Sequence, residues 1–417
     1  TAGALWKVAD LTALAAVDDL DFSGFVADGD ILIHVRDKGH YRWISGTTPA
    51  VASPLVLASY RRNRWVLQQG RGGGGLLGGS IFLVDPSHPA ATDASTGTLP
   101  FDTFAAGLAY AATIANAVLL IAPADYSAEG MQIVSVNTGI MIQGLTDQSA
   151  HMVSTGTVKL PEFGFTSLNA DKISVMNVNC PSIHFMQDVG SSASVSIENV
   201  RFTGAAGTSP NGSDSLNGEC FSFTDVNGAA GDRAGITVNL RDCYLTGPMW
   251  YAYKKGFSGS PENQYAFINF DRCLFASGVS MPADSVAPQF SAVFRNCLFL
   301  GTQTVGAAVG DSYGTVLEYT RCEFLNRITF SSALKFNDCF FKASQSVLEF
   351  ANDSLSITAR LNGCDFQANY GTSASNVIST AGGSGTKTIE NANSFCSGVA
   401  RTIQSGITNT TITTAFI

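Results

Sequence analysis

The chain has 417 residues, of which 14% are charged and 42 are glycine, and its formal net charge is −9. That length allows a large core and more than one domain. The acidic balance excludes a basic stripe for a phosphate backbone, few charges with many small polar residues fit an extracellular all-β protein better than a cytosolic enzyme, and no apolar run reaches the ~18 residues of a membrane span.

Residues 1–69 read as a small β module. Residues 5–14 have partly helical spacing. Gly29-Asp-Ile-Leu-Ile-His-Val35 is a strand, Asp37-Lys-Gly39 a hairpin turn, His40-Tyr-Arg-Trp-Ile44 the returning strand and Arg64-Trp-Val-Leu67 a later one. His34 and His40 flank the hairpin, but no carboxylate-rich neighbour completes a metal site. Arg61, Arg62 and Arg64 lie beside Trp65, a basic patch that reads equally as a solvated turn or as a docking point for an acidic surface. The Gly-rich residues 70–80 lack the Lys-Ser/Thr ending of a phosphate loop and read as a linker.

Ile81-Phe-Leu-Val84 opens the second domain, residues 81–400. Leu99, Phe101, Phe104, Leu108 and Ile114 can form one apolar face of a helix near 101–116, suited to covering the open end of a sheet. A strand follows from Ala117, ending in a Pro-x-x-Tyr phrase at Tyr126, and then the segment 139–144.

Beyond them one phrase recurs. Ile197-Glu-Asn-Val200-Arg-Phe202, Leu240-Arg-Asp-Cys243-Tyr-Leu245, Phe270-Asp-Arg-Cys273-Leu-Phe275 and Phe294-Arg-Asn-Cys297-Leu-Phe299 share it. So do Tyr319-Thr-Arg-Cys322-Glu-Phe324, Phe336-Asn-Asp-Cys339-Phe-Phe341 and Leu361-Asn-Gly-Cys364-Asp-Phe366. Apolar residues fall at i, i+3 and i+5, with a period of two on either side. Alternate residues of a strand face one way, so the step of three marks a corner after which the chain points inward again. With Val178, the corner positions 178, 200, 243, 273, 297, 322, 339 and 364 are 17 to 43 residues apart. The longest interval holds Gly-rich inserts at 204–218 and 227–235. Coils of this size without helical periodicity predict stacked parallel strands with Cys over Cys and Phe over Phe.

Six of the nine cysteines occupy the inward corner position. An odd number cannot pair completely, and no two lie at zinc-knuckle spacing, so a column of free buried thiols is expected, with a disulfide framework as the alternative. Asn199, Asn296, Asn337 and Asn362 suit tight bends. Arg241, Asp242, Asp271, Arg272, Arg295, Arg321 and Asp338 read as a solvated, mutually pairing face.

The corner phrase resembles the right-handed parallel β-helix of the pectin-lyase-like superfamily. The order of first strand, helix and Ala117-Val-Leu-Leu-Ile-Ala-Pro-Ala-Asp-Tyr126 adds to that resemblance. The phrases Gly39-His-Tyr-Arg-Trp43 and Asn63-Arg-Trp65 are similar to a small module near the N-termini of phage tail and fibre proteins. The resemblance implies an all-β fold, a right-handed parallel β-helix with a capping helix behind a small N-terminal β domain. It also implies a virion-surface, receptor-binding protein, homotrimeric, that docks to capsid or tail through its front module and contacts a host glycan or other receptor. A glycan depolymerase, a purely structural virion protein and a bacterial adhesin are the alternatives. No metal, cofactor or nucleic acid is called for.

Enzymes on such helices use outward carboxylates. Here Glu323 and Asp365 follow corner cysteines on alternate coils, with Phe340 on the coil between. Two rungs of ~4.8 Å put them ~9–10 Å apart, close to the ~6.5–9.5 Å of an inverting glycosidase, though a solenoid produces such pairs by chance. The segment Trp250, Tyr251, Tyr253, Lys254 and Lys255 is too aromatic for an idle loop. It reads as a sugar or receptor contact, or as a surface buried by a neighbouring coil or chain. The Thr/Ile-rich residues 401–417 read as strands that close the far end or knit protomers together.

Overall fold

The structure is a computed structural model. In the front part it describes residues 6–8, 32–35, 39–44, 56–58 and 64–68. From 81 to 411 it describes the chain apart from residues 96, 98, 137–138, 146–157, 167–171, 188–191, 205, 209–214, 218–219, 226–233, 247–250, 254–263, 277–279, 282–288, 306–315, 331–332, 343–347, 352–355, 368–375, 396–401 and 404–405. Two compact units divide between Gly78 and Gly79.

The first unit holds a five-stranded sheet in the order Trp6–Val8, Leu32–Val35, Gly39–Ile44, Arg64–Gln68, Val56–Ala58. His34 and His40 stand directly opposite in its hairpin. Residues 5–14 were expected to be helical or partly so, and all of them but 6–8 lie outside the described residues. Trp6–Val8 is instead a strand paired in parallel with Ile33–Val35, because cross-strand pairing outweighs a weak local preference.

The second unit is a right-handed parallel β-helix. Its longest sheet has 13 strands, all parallel and in chain order, from Ile81–Val84 to Ile407–Thr411. An eight-stranded sheet of two-residue strands runs from Asn179–Cys180 to Asp365–Phe366. A third side is built in two pieces, five strands from Gln132–Ser135 to Tyr251–Tyr253 and six from Ser280–Met281 to Thr402–Ile403. The long interval between Val200 and Cys243 is one coil, since Ser192–Glu198 pairs directly with Ala234–Arg241. Part of its first insert forms the hairpin Ala206–Thr208 with Ser215–Asn217. At the far end, Thr402–Ile403 and Ile407–Thr411 each add a parallel strand to a sheet of the coil.

Each corner turns on one residue in the left-handed region: Asn177, Asn199, Asp242, Arg272, Asn296, Arg321, Asp338, Gly363 and Asn393, with φ between 51° and 63°. Asn, Asp and Gly tolerate this conformation, and it redirects the chain in a single step. The corner amides bond from coil to coil, as Asn296 N to Thr320 O (3.0 Å) and Asp338 N to Asn362 O (2.8 Å) do.

Inside the corner the side chains stack in columns. Phe270, Phe294, Tyr319 and Phe336 form one, with centroids 4.6–5.0 Å apart. Phe275, Phe299, Phe324, Phe341 and Phe366 form the next, at 4.5–5.1 Å. The two meet edge to face. Burying one such ring contributes about 1.5–3 kcal/mol, and a good ring pair about 0.5–1.5 kcal/mol more. Cys243, Cys273, Cys297, Cys322, Cys339 and Cys364 form the third column, all buried and free. Each thiol lies within hydrogen-bonding reach of a carbonyl on the preceding coil, as Cys322 Sγ to Phe294 O (3.4 Å) and Cys339 Sγ to Tyr319 O (3.4 Å). Burial pushes the Cys180, Cys243 and Cys273 thiols well above their ordinary pKa.

A helix, Phe104–Ala112, packs its buried Phe104, Gly107, Leu108 and Ala111 on the first strands. Gly107 allows the close approach, since a Cβ there would lie 2.5 Å from Val84 Cγ2. Thr103 caps the helix by accepting from Ala106 N at 3.2 Å. The Glu129 carboxylate takes the amides of Phe104 and Ala105 at 2.9 and 2.8 Å. Leu99 was expected on the apolar helix face. It precedes the helix and is exposed, because Thr103 starts the helix later than the hydrophobic spacing suggested. At the other end of the stack the interior turns polar. Lys387, Asn391 and Ser394 are buried where the preceding coil places Ile357, Leu361 and Cys364, and Ser394 Oγ accepts from Cys364 N at 3.0 Å.

Candidate ligand face on the eight-stranded sheet

The outer surfaces of the sheets differ in how far their polar groups are already used. On the 13-stranded sheet, charges pair from coil to coil. Arg241 meets Glu198, Lys335 meets Glu318 at 3.3 Å and Arg360 meets Glu390 at 2.7 Å. At its corner Arg272 holds Asp242 with two bonds of 2.8 and 2.7 Å. Asn269 donates to Asn239 and Asn337 to Glu318, each at 2.9 Å. These ladders pair many of the charges of the face, as the mixed corner charges predict, and an exposed ring on it, Phe267, stands in register between Thr237 and Ser291.

The eight-stranded sheet is different. In each two-residue strand the second residue is the inward one, Cys180 in the first strand and a ring or leucine in the others, so the first faces out, and the residue after the strand faces out again. The first positions run in register as Arg201, Tyr244, Leu274, Leu298, Glu323, Phe340 and Asp365, and a bridge from Asp365 adds Phe395. The following positions include Leu300, Leu325, Lys342 and Gln367. Leu300, Leu325, Phe340 and Phe395 are exposed, Phe340 at 45% and Phe395 at 48%. Contiguous exposed apolar groups of this kind mark contact surfaces.

Glu323 and Asp365 do come together on this face, one rung to either side of Phe340. Each is held by a side chain two residues or one coil away. Lys342 Nζ lies 2.5 Å from Glu323 Oε1, and Gln367 Nε2 donates to Asp365 Oδ2 at 2.9 Å. Glu323 Oε2 has no donor among the described residues. Asp365 is only 8% exposed, less than its outward position suggested, because the Phe340 and Phe395 rungs and Gln367 enclose it. At the other end of the face Arg201 lies 4.8 Å over the Tyr244 ring, a cation–π contact.

Of the aromatic segment, Tyr251–Tyr253 is not loop but the last strand of the five-stranded piece, in register with Ser222, Phe223 and Thr224. Trp250, Lys254 and Lys255 lie outside the described residues. Arg64 and Trp65 are in the strand Arg64–Gln68 of the first unit, and Arg61 and Arg62 lie outside the described residues.

Neither exposed ring, Phe340 or Phe395, is among the contact residues that the sequence singles out, although the phrase Phe336-Asn-Asp-Cys339-Phe-Phe341 carries the signal for the first. Where other coils place Tyr, Leu, Glu or Asp, this one has a second phenyl ring. A further polar pair lies buried on the third side, where His184 Nε2 is 3.5 Å from Glu162 Oε2. Neither His184 nor the neighbouring Ser182 is open to solvent. Among the described residues no group of three or more His, Cys, Asp or Glu is arranged to hold a metal ion, and no helix is long and apolar enough to cross a membrane.

Comparison with protein-family models, with curated proteins and with solved structures finds no match.

Proposed function

We propose that this parallel β-helix is the receptor-binding protein of a virion surface and that it contacts a glycan on the host cell. The observation that carries this reading is the face around Phe340, where exposed rings alternate with carboxylates on successive rungs. A sugar offers a C–H surface to a ring and hydroxyl donors to a carboxylate, so that alternation matches a glycan better than it matches water. The first unit then serves as the virion-docking module, with Arg61, Arg62, Arg64 and Trp65 as its contacts. The likeness of the corner phrase to pectin-lyase-like helices and of the front segment to phage tail modules supports the assignment. Trp250, Tyr251, Tyr253, Lys254 and Lys255 are a second proposed contact.

A glycan array probed with the full chain tests the reading. Binding that falls at least tenfold in Phe340→Ala supports it, and an array with no binding removes it. Release of reducing ends from a bound glycan, lost in Glu323→Gln and Asp365→Asn, would move the reading from attachment to cleavage. Assembly as a homotrimer belongs to the same proposal. Light scattering should give the mass of three chains, and a monomer at micromolar concentration removes the trimer.

A further inference from the structure

We infer that the face around Phe340 selects uncharged, hydroxyl-rich sugars over acidic ones. This rests on the glycan-binding reading and narrows it to a substrate class.

The argument is one of charge and of hydrogen-bond capacity. Glu323 and Asp365 bracket Phe340 on the neighbouring rungs. Strands in a sheet lie ~4.8 Å apart, so anything resting on the Phe340 ring has both carboxylates within about one rung. The cation beside them, Lys342, is already engaged by Glu323 at 2.5 Å. A uronate, sialate or sulfate on the ring would therefore meet the Asp365 charge and a Glu323–Lys342 pair with no net charge, with no free cation among the described residues of this face to balance its own. The formal net charge of −9 adds to the repulsion over longer distances. A neutral pyranose meets no such penalty. Its hydroxyls donate where Glu323 Oε2 has no donor among the described residues, and charge-assisted bonds of that kind are stronger than neutral ones. Its C–H face lies against Phe340, and the next unit of a chain reaches toward Phe395, two rungs away. Carboxylates accept and do not donate, so the face is built for a ligand that supplies the protons.

The test uses the full chain against matched pairs of oligosaccharides, identical except that one member carries a carboxylate or sulfate. Neutral members should bind at least tenfold more tightly than acidic ones, with an affinity that stays flat as salt is raised. Phe340→Ala should lose the neutral binding tenfold or more. The paired variant Glu323→Gln with Asp365→Asn should narrow the gap by weakening neutral binding and strengthening acidic binding. Phe340 and Glu323 lie on the outer face of the sheet and Asp365 is enclosed beside them, so each variant is used only where an unchanged melting temperature shows that it is folded. Equal or tighter binding of acidic members by the parent chain overturns the selectivity and leaves the glycan reading standing. Absence of binding by both members overturns both.

Discussion

Phe294 lies flat on Phe270 of the preceding coil, with ring centroids 4.7 Å apart and planes within 3°. The same relation continues from Phe294 to Tyr319 at 4.6 Å and from Tyr319 to Phe336 at 5.0 Å. Each ring is braced within its own coil and by the coils on either side, so the columns distribute stability along the stack in nearest-neighbour steps. Phe299, 1% exposed, sits between Phe275 and Phe324 and meets Phe294 and Tyr319 edge to face. Phe299→Ala should cost about 3–5 kcal/mol, read as a lowered urea midpoint. A loss under ~1 kcal/mol would mean the column collapses around the gap and that its stacking matters little.

Three buried thiols, Cys243 and Cys273 of the column and Cys180 beside it, make stability sensitive to alkali. Burial raises the pKa of Cys180, Cys243 and Cys273 in the folded chain, whereas the unfolded chain releases those protons near pH ~8.5. Above that pH the unfolded state binds fewer protons than the folded one, so stability falls as pH rises. Its full contribution is present below pH ~8.5. Each such thiol should remove about 1.4 kcal/mol per pH unit beyond it. Denaturation curves between pH 7 and 10 measure this, and a flat profile contradicts the burial. In the same samples, thiol reagents at neutral pH should label few cysteines before unfolding, while fast labelling of most of them would count against the column.

Arg321 occupies a left-handed corner, with φ of 53°, where neighbouring coils use Asn296 and Asp338. A side chain with a Cβ costs about 1 kcal/mol in this conformation unless it is small and polar enough to bond its own backbone. Arg321→Asn should therefore raise stability by up to about 1 kcal/mol. Gly363→Ala should do the reverse, because its φ is 63° and a Cβ would lie 2.4 Å from Asp338 Oδ1. Thermal melts of the two variants that shift in the same direction would break the argument.

Asp125 titrates low. Lys159 Nζ bonds its carboxylate at 2.8 Å and Ser127 donates to it twice, which lowers its pKa to about 2. A depressed carboxylate contributes above its unfolded value of ~3.9 and loses that contribution as pH falls through about 2. The carboxyl carbon resonance of Asp125 should titrate with a midpoint near 2, and Lys159→Ala should move the midpoint up. An unchanged midpoint in the variant would assign the shift to Ser127 alone.

The corners were legible because one constraint repeats. A ring, a polar pair, a small apolar residue and a second ring can recur at i, i+3 and i+5 only if every coil turns alike, and the positive φ at the residue before each cysteine is the backbone form of that pattern. The strand at Trp6–Val8 was not legible, since its partner Ile33–Val35 lies far along the chain and three residues carry little periodicity. The late start of the helix is set by the Thr103 cap together with Glu129, 25 residues beyond Phe104, and that second contact is not visible in local spacing. On the candidate face, the sequence placed Glu323 and Asp365 on alternate coils. The exposure of Phe340 and the enclosure of Asp365 depended on how neighbouring rungs cover each other, and a single coil does not encode that.

Because a single residue sets each bend, the connections elsewhere in a coil are free to vary in length. Cys322 and Cys339 are 17 residues apart and Val200 and Cys243 are 43, yet all four keep their place in the column. Segments grafted into the long connections, away from the bend, should leave the register intact, so the surface can diversify while the spiral beneath it stays the same.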